Sequence, residues 1–281
     1  MRFSTCLPIL AGCAAALDLA DPADNYESFL RTRCSLDGSE TVFFWSGAIY
    51  SFPPGDQGEL LFLCDGFNIS RLEPCEGGYR MLSREVFAYR DPETGRILER
   101  WGNPFTGDTL QVVHVWNDPV NAVLPRVSDD WEFSMPYTDL GERAISWDLN
   151  IVLCYPSPLP ADSFPLYSGS NDYQGSEFFH FFVERRDLED STLASVPCTI
   201  SWTRIGQWLP WMQMGSRPGW LLYSCTGMKL PGGYAELPPD LRALVETSHP
   251  EFSSAPTEYS RPNETSWTYF RDLVRSGAYT P

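Results

Sequence analysis

Apolar and polar positions alternate with a period of two over much of this chain. The run beginning at Thr41, Thr-Val-Phe-Phe-Trp-Ser-Gly-Ala-Ile-Tyr, is dense in β-branched and aromatic residues and stops at Pro53-Pro54-Gly55, which predicts a strand. Leu60 to Cys64 repeats the pattern. A meander follows over residues 85–90, 96–101 and 109–116, separated by Asp91-Pro-Glu-Thr-Gly95 and Asn103-Pro-Phe-Thr-Gly107. In each turn proline presets φ and glycine supplies positive φ, so consecutive antiparallel hairpins are expected. Further strands are predicted over 144–154, 178–184, 198–205 and 220–225. Helical spacing is rarer: Pro239 precedes Leu241, Leu244 and Val245, and Pro262-Asn263 precedes Trp267, Phe270, Leu273 and Val274, ending at Gly277. The expected fold is mainly β, an antiparallel β-barrel or strongly curved sheet with a few short helices, mostly C-terminal. No linker divides residues 17–281, which read as one barrel-like domain.

The first sixteen residues break the pattern. Met1 to Ala16 carry one Arg, an apolar run and small residues at Ala14 and Ala16, the signature of a signal peptide, followed by acidic residues that read as an exposed mature terminus. A secreted or secretory-lumen protein is expected. Removing Cys6 and Cys13 leaves Cys34, Cys64, Cys75, Cys154, Cys198 and Cys225, an even set that suits an oxidising compartment, with Cys64 and Cys75 the nearest local pair. In that setting Asn68-Ile-Ser70 and Asn263-Glu-Thr265 are N-glycosylation sequons. No later stretch is apolar enough to span a membrane. A net charge of -17 opposes nucleic-acid binding. Lys229 is the one lysine, which leaves little room for Schiff-base chemistry.

Aromatic residues make up 14% of the chain, more than an ordinary core requires, and this surplus reads as a pocket for hydrophobic small molecules. Alternation puts Leu110, Val112, His114 and Trp116 on one face of their strand, which runs into the polar turn Asn117-Asp118-Pro119-Val120-Asn121. His180 lies among Phe178 and Phe182. The stretch from Trp202 to Met214 gathers three Trp, two Met and Arg204, and Arg71 follows another strand. Each also has a structural reading, as a satisfied core histidine or as plain core packing. No G-x-S-x-G elbow, H-E-x-x-H helix, Walker loop or G-x-G-x-x-G turn occurs, so no cofactor and no metal are expected.

Phe44-Trp45-Ser-Gly47-Ala-Ile-Tyr50, Asp91 to Gly95 through Trp101 to Gly107, His114-Val-Trp-Asn-Asp-Pro-Val-Asn121 and Ala255-Pro256 to Trp267-Thr-Tyr-Phe270 together resemble the domain-of-unknown-function 1838 family of fungi and bacteria. The family implies no particular reaction. A secreted member of this size is similar to the hetero-Diels–Alderases of tropolone-sesquiterpenoid biosynthesis, which join a tropolone quinone methide to a humulene-type alkene. That resemblance implies a cofactor-free cyclase in which His114 assists loss of water, Arg71 or Arg204 holds the tropolone oxygens, and Trp45, Tyr50, Trp116 and Trp202 form the walls. Asn117, Asn121 and His180 complete the expected binding set. A non-catalytic carrier of a hydrophobic metabolite and a secreted hydrolase are the alternatives.

Overall fold

The computed structural model describes residues 17–281 apart from 117, 119, 129, 130 and 261. The expected signal peptide and Asn117 lie outside the described residues. Helix α1 (Pro22–Arg33) opens the fold and is followed by β1 (Thr41–Phe52), β2 (Glu59–Cys75) and β3 (Gly78–Arg90). A small ribbon, β4 (Arg100–Gly102) with β5 (Thr109–Gln111), precedes β6 (Ala122–Pro125), the short pair β7 (Val127–Ser128) and β8 (Trp131–Glu132), and β9 (Tyr137–Asp139). Two long strands, β10 (Ala144–Pro156) and β11 (Asp172–Glu184), lead through α2 (Arg185–Glu189) to β12 (Thr199–Gly206) and β13 (Trp220–Leu230). Helices α3 (Pro239–Ser248) and α4 (Ser266–Ser276) close the chain.

Nine strands form one antiparallel sheet in the order β6-β3-β2-β1-β13-β12-β11-β10-β9. The sheet curls into a half-barrel without closing, so the strongly curved form of the expected fold is the one adopted. Both D/N-P-x-T-G turns behave as read: Gly95 and Gly107 take φ of 69° and 83°, and Asp91 accepts the amide of Thr94 at 2.7 Å. The predicted 109–116 strand is shorter, with β5 ending at Gln111 and only a bridge between Val115 and Phe87 beyond it.

Helix α1 replaces the expected exposed terminus. Asp21 caps it by accepting the amides of Ala23 and Asp24, and Pro22 stands at its first turn. The helix packs into the concave face, where Phe29 meets Trp147 of β10 edge-on at 5.8 Å and Trp147 donates to Thr32 at 3.0 Å. Lys229 ties the helix end to β13 by donating to the carbonyls of Arg31 and Cys34 and to Ser195 Oγ. A second core on the convex face lies between α3 and the outward side chains Val42, Phe67, Ile69, Val86 and Ala88. Complete burial of a side chain the size of Phe67 contributes roughly 1.5–3 kcal/mol.

Two local readings are corrected. Cys64 and Cys75 share the single strand β2, and eleven steps at about 3.3 Å put them roughly 36 Å apart, which excludes a bond between them. Cys64 instead faces Cys225, with sulfurs 3.6 Å apart, across Gly47 of β1. A Cβ at Gly47 would lie 2.2 Å from the Ser224 carbonyl and 2.6 Å from Cys225 Sγ, so only glycine fits there. Asn68 of the first sequon is buried on the inner face of β2, where its oxygen accepts from Arg33 at 2.9 Å, and a folded chain cannot carry a glycan there. Asn263 is partly exposed and donates to the Asn121 carbonyl at 3.4 Å.

Candidate functional site

Alternation along each strand of the half-barrel sends every second side chain inward. On β11 the inward positions read Tyr173, Gly175, Glu177, Phe179, Phe181 and Val183, and α1 fills the concave face at the Phe181 end. Toward the other end of the strand a cavity of about 130 Å³ remains. Glu85, Phe87 and Tyr89 of β3, Leu153 and Tyr155 of β10, Tyr173 and Glu177 of β11, Trp202 and Arg204 of β12 and Tyr223 of β13 make its floor and walls. Val115, Asp118 and the start of α4 (Thr265 to Trp267) make its roof.

The polar groups are organised around Arg204. Its guanidinium donates to the Tyr173 hydroxyl at 2.5 Å, stands 3.4 Å from Glu177, and lies over the Tyr223 ring at 5.1 Å. The other oxygen of Glu177 accepts from Trp202 Nε1 at 3.3 Å. Asp118 accepts the Ser266 amide at 3.2 Å, and its own amide donates to the Glu85 carbonyl at 3.1 Å, which holds the two acids side by side. The Tyr223 hydroxyl is buried and has no hydrogen-bond partner among the described residues.

Protonation follows from this packing. Burial raises Glu85 well above the usual carboxylate range, and the nearby charges of Asp118 and Glu177 push the same way. Burial likewise brings Asp118 up to about 6, against the opposing pull of the Ser266 amide. Burial alone would depress Arg204, yet Tyr173, Tyr223 and Glu177 outweigh it and hold the guanidinium charged. Tyr155 is pushed up to about 12 by burial. Burial thus favours the acid form of Glu85, and that of Asp118 below about 6, beside the charged Arg204. The cavity then suits an uncharged guest that exchanges hydrogen bonds with acids, a guanidinium and phenols.

The structure divides the residues singled out by sequence. Arg204 and Trp202 line the cavity, and Trp45 packs edge-on behind Trp202 at 6.1 Å. His114 does not line it. Its Nδ1 accepts the Tyr89 backbone amide at 3.3 Å, and burial lowers its pKa to about 4, so it is neutral at physiological pH. The single face expected for Leu110, Val112, His114 and Trp116 is not kept, since the strand ends at Gln111, Val112 joins the concave core and Trp116 the convex one, and it is Val115 that reaches the cavity. Trp116 belongs to the convex core, 4.6 Å from His249 and 6.2 Å from Phe252 by ring centroids. Asn121 anchors its loop by accepting the Ser83 amide at 2.9 Å and donating to Ser260. Arg71 is paired with Glu73 at 2.7 Å. Tyr50 and His180 belong to the outer face, where His180 meets Asp148 at 2.9 Å. Among the described residues, no group of three His, Cys, Asp or Glu is placed to hold a metal ion, and no helix is long and apolar enough to cross a membrane.

Comparison with protein families matches residues 38–274 to the family described as "Protein of unknown function (DUF1838)". The chain belongs to this family. No curated protein matches it. The DUF1838 match spans every cavity residue, from Glu85 to Trp267, so the cavity is built wholly from the family's own segment.

Three acids and four tyrosines of this DUF1838 site were not singled out by sequence reasoning. In the sequence Asp118 reads only as part of a turn. Glu177 carried a readable signal: it continues the inward series of Phe179, Phe181 and Val183, and a carboxylate on an apolar face needs a partner.

Proposed function

We propose that this chain is a cofactor-independent enzyme that binds an uncharged, oxygen-bearing ring in the half-barrel cavity and works on it by general acid–base catalysis. The reaction we assign is loss of water from a hydroxymethyl tropolone, followed by hetero-Diels–Alder addition of the quinone methide to a humulene-type alkene. The observation that carries the reading is the pair of acids in the cavity, Glu85 and Asp118, whose carboxyls burial pushes upward, set beside Arg204 and the unpartnered Tyr223 hydroxyl.

Asp118 in its acid form protonates the departing hydroxyl, which leaves as water as the C–O bond breaks. The ring O–H proton passes to the carboxylate formed, and Arg204 with Tyr223 holds the ring oxygens. The quinone methide then gains one C–C and one C–O bond from the alkene, with no atom lost. At about 130 Å³ the cavity is a little smaller than the roughly 150 Å³ that holds benzene, so it takes the oxygen-bearing part of the ring, with the remainder and the alkene at the open side. Orientation of the pair supplies the rate of the second step. The likeness of a secreted family member of this size to the hetero-Diels–Alderases of tropolone-sesquiterpenoid biosynthesis supports this choice over other dehydrations.

The test is product formation from the two precursors above the uncatalysed background. Asp118→Asn should lower the rate by roughly 10²- to 10⁴-fold with ligand binding retained. Because the acid form of Asp118 is populated below about 6 and lost above it, the wild-type rate should fall as pH rises through that value. Tight binding without turnover would identify a carrier instead, and a fully active Asp118→Asn variant would remove the acid from its assigned role.

A further inference from the structure

A second cavity, of about 310 Å³, is formed where β12 ends and β13 begins. It shares Trp267 alone with the cavity of Arg204. Its rings are Tyr167, Trp208, Trp220 and Trp267, and its volume lies at the lower end of the roughly 300–1,000 Å³ of small-molecule pockets. Two loops build it. The Gly215 amide donates to the Leu166 carbonyl at 3.1 Å, and Gln213 and Gly215 turn the second loop with φ of 54° and 53°. Trp208 is fixed against Gly219, where a Cβ would lie 2.3 Å from the ring, and its Nε1 donates to the Arg217 carbonyl at 3.0 Å.

About one residue in eight of this chain is acidic, yet no acid lines this cavity. Two polar groups in its wall are only partly used. Gln207 Nε2 donates to the Asp172 carbonyl at 2.9 Å, which fixes the orientation of the amide and leaves Oε1 buried without a partner among the described residues. Arg217 donates to the Phe105 carbonyl at 2.9 Å and has further guanidinium N–H donors to offer. We propose that this cavity binds a neutral sugar ring. A hydrocarbon would leave both the Gln207 oxygen and Arg217 unanswered. A carboxylate would answer Arg217 but cannot donate to Gln207, and the net charge of -17 opposes it. A pyranose answers both, one hydroxyl donating to Gln207 Oε1 and another accepting from Arg217, while its C–H face lies on a tryptophan ring. A free sugar and the terminal unit of a neutral glycan share that chemistry. The site uses neither Asp118 nor Arg204, so it stands apart from the reaction assigned above.

Titration of the purified chain with the methyl pyranosides of glucose, galactose and mannose, and with neutral disaccharides of the same units, tests it by calorimetry and tryptophan emission. At least one should bind saturably in the millimolar range. Trp220→Ala should weaken that binding by about two- to tenfold through lost stacking, and Gln207→Leu by about the same factor through the lost hydrogen bond. Trp220 is 42% exposed, so its variant keeps the wild-type melting temperature. Tighter binding of a disaccharide would assign the end of a glycan, and tighter binding of a methyl pyranoside the free sugar; either supports the site. No saturable binding by any of these sugars at tens of millimolar overturns the proposal, as does a Trp220→Ala variant with wild-type affinity. Cyclohexanol binding as tightly as the best pyranoside would show that the set of hydroxyls is not read and would overturn it equally.

Discussion

At the scale of single residues, Tyr223 and His114 separate binding from stability. The Tyr223 hydroxyl is buried without a partner, a state that costs roughly 1–3 kcal/mol until something bonds to it. Tyr223→Phe should therefore melt at the wild-type temperature or above it, while calorimetric affinity for a hydroxylated ring falls by about 1 kcal/mol. A clear loss of stability would mean that the hydroxyl is already satisfied in the folded chain. His114 behaves in the opposite sense. Its folded pKa of about 4 lies below the ordinary 6.5, so folding disfavours its protonation. The stability that depends on its neutral form is complete above 6.5 and is lost as pH falls toward 4, a loss on the order of 3 kcal/mol. His114→Asn should flatten that part of the wild-type denaturation profile and leave the reaction rate little changed. An unchanged acid slope would show that His114 does not titrate in this way.

At the scale of elements, the roof of the cavity depends on how α4 begins. The Thr265 hydroxyl oxygen accepts the Thr268 amide and the Thr268 hydroxyl oxygen accepts the Thr265 amide, a reciprocal cap that fixes the first turn. The next amide, that of Ser266, is the one that holds Asp118, and Trp267 closes the wall against Tyr173 at 5.2 Å. Thr265→Ala should cost about 1 kcal/mol of stability. It should also raise KM more than it lowers kcat, because the roof loosens before the acid is lost. An altered kcat with constant KM would contradict this order of effects.

At the scale of the whole molecule, the strands were legible because period-two alternation and Pro/Gly turns are local signals, and α3 and α4 because proline and glycine bracket their helical spacing. Helix α1 was hidden by its own capping acid, which looks like an exposed terminus in sequence. The extension of β2 to Cys75 was hidden by inward Asn68 and Ser70, whose side-chain oxygens find partners in Arg33 and Thr41 from elsewhere in the chain. The site was legible only where one strand carried two of its members, as with Trp202 and Arg204. Glu85, Asp118 and Glu177 come from three distant segments and meet because of strand order, which alternation alone does not encode. Alternation also leaves open which side of a strand faces the hollow, and His114 shows the consequence.

The eight residues of β12 serve two surfaces at once, its even positions supplying Trp202 and Arg204 to the cavity and its odd positions Thr203 and Ile205 to the bare exterior. Inserting or deleting one codon there would exchange the two sets, burying an isoleucine among acids and turning the guanidinium out to water. Length variation in this family should therefore gather in the hairpin tips around residues 91–107 and be purged from the central strands, whatever substitutions those strands accept.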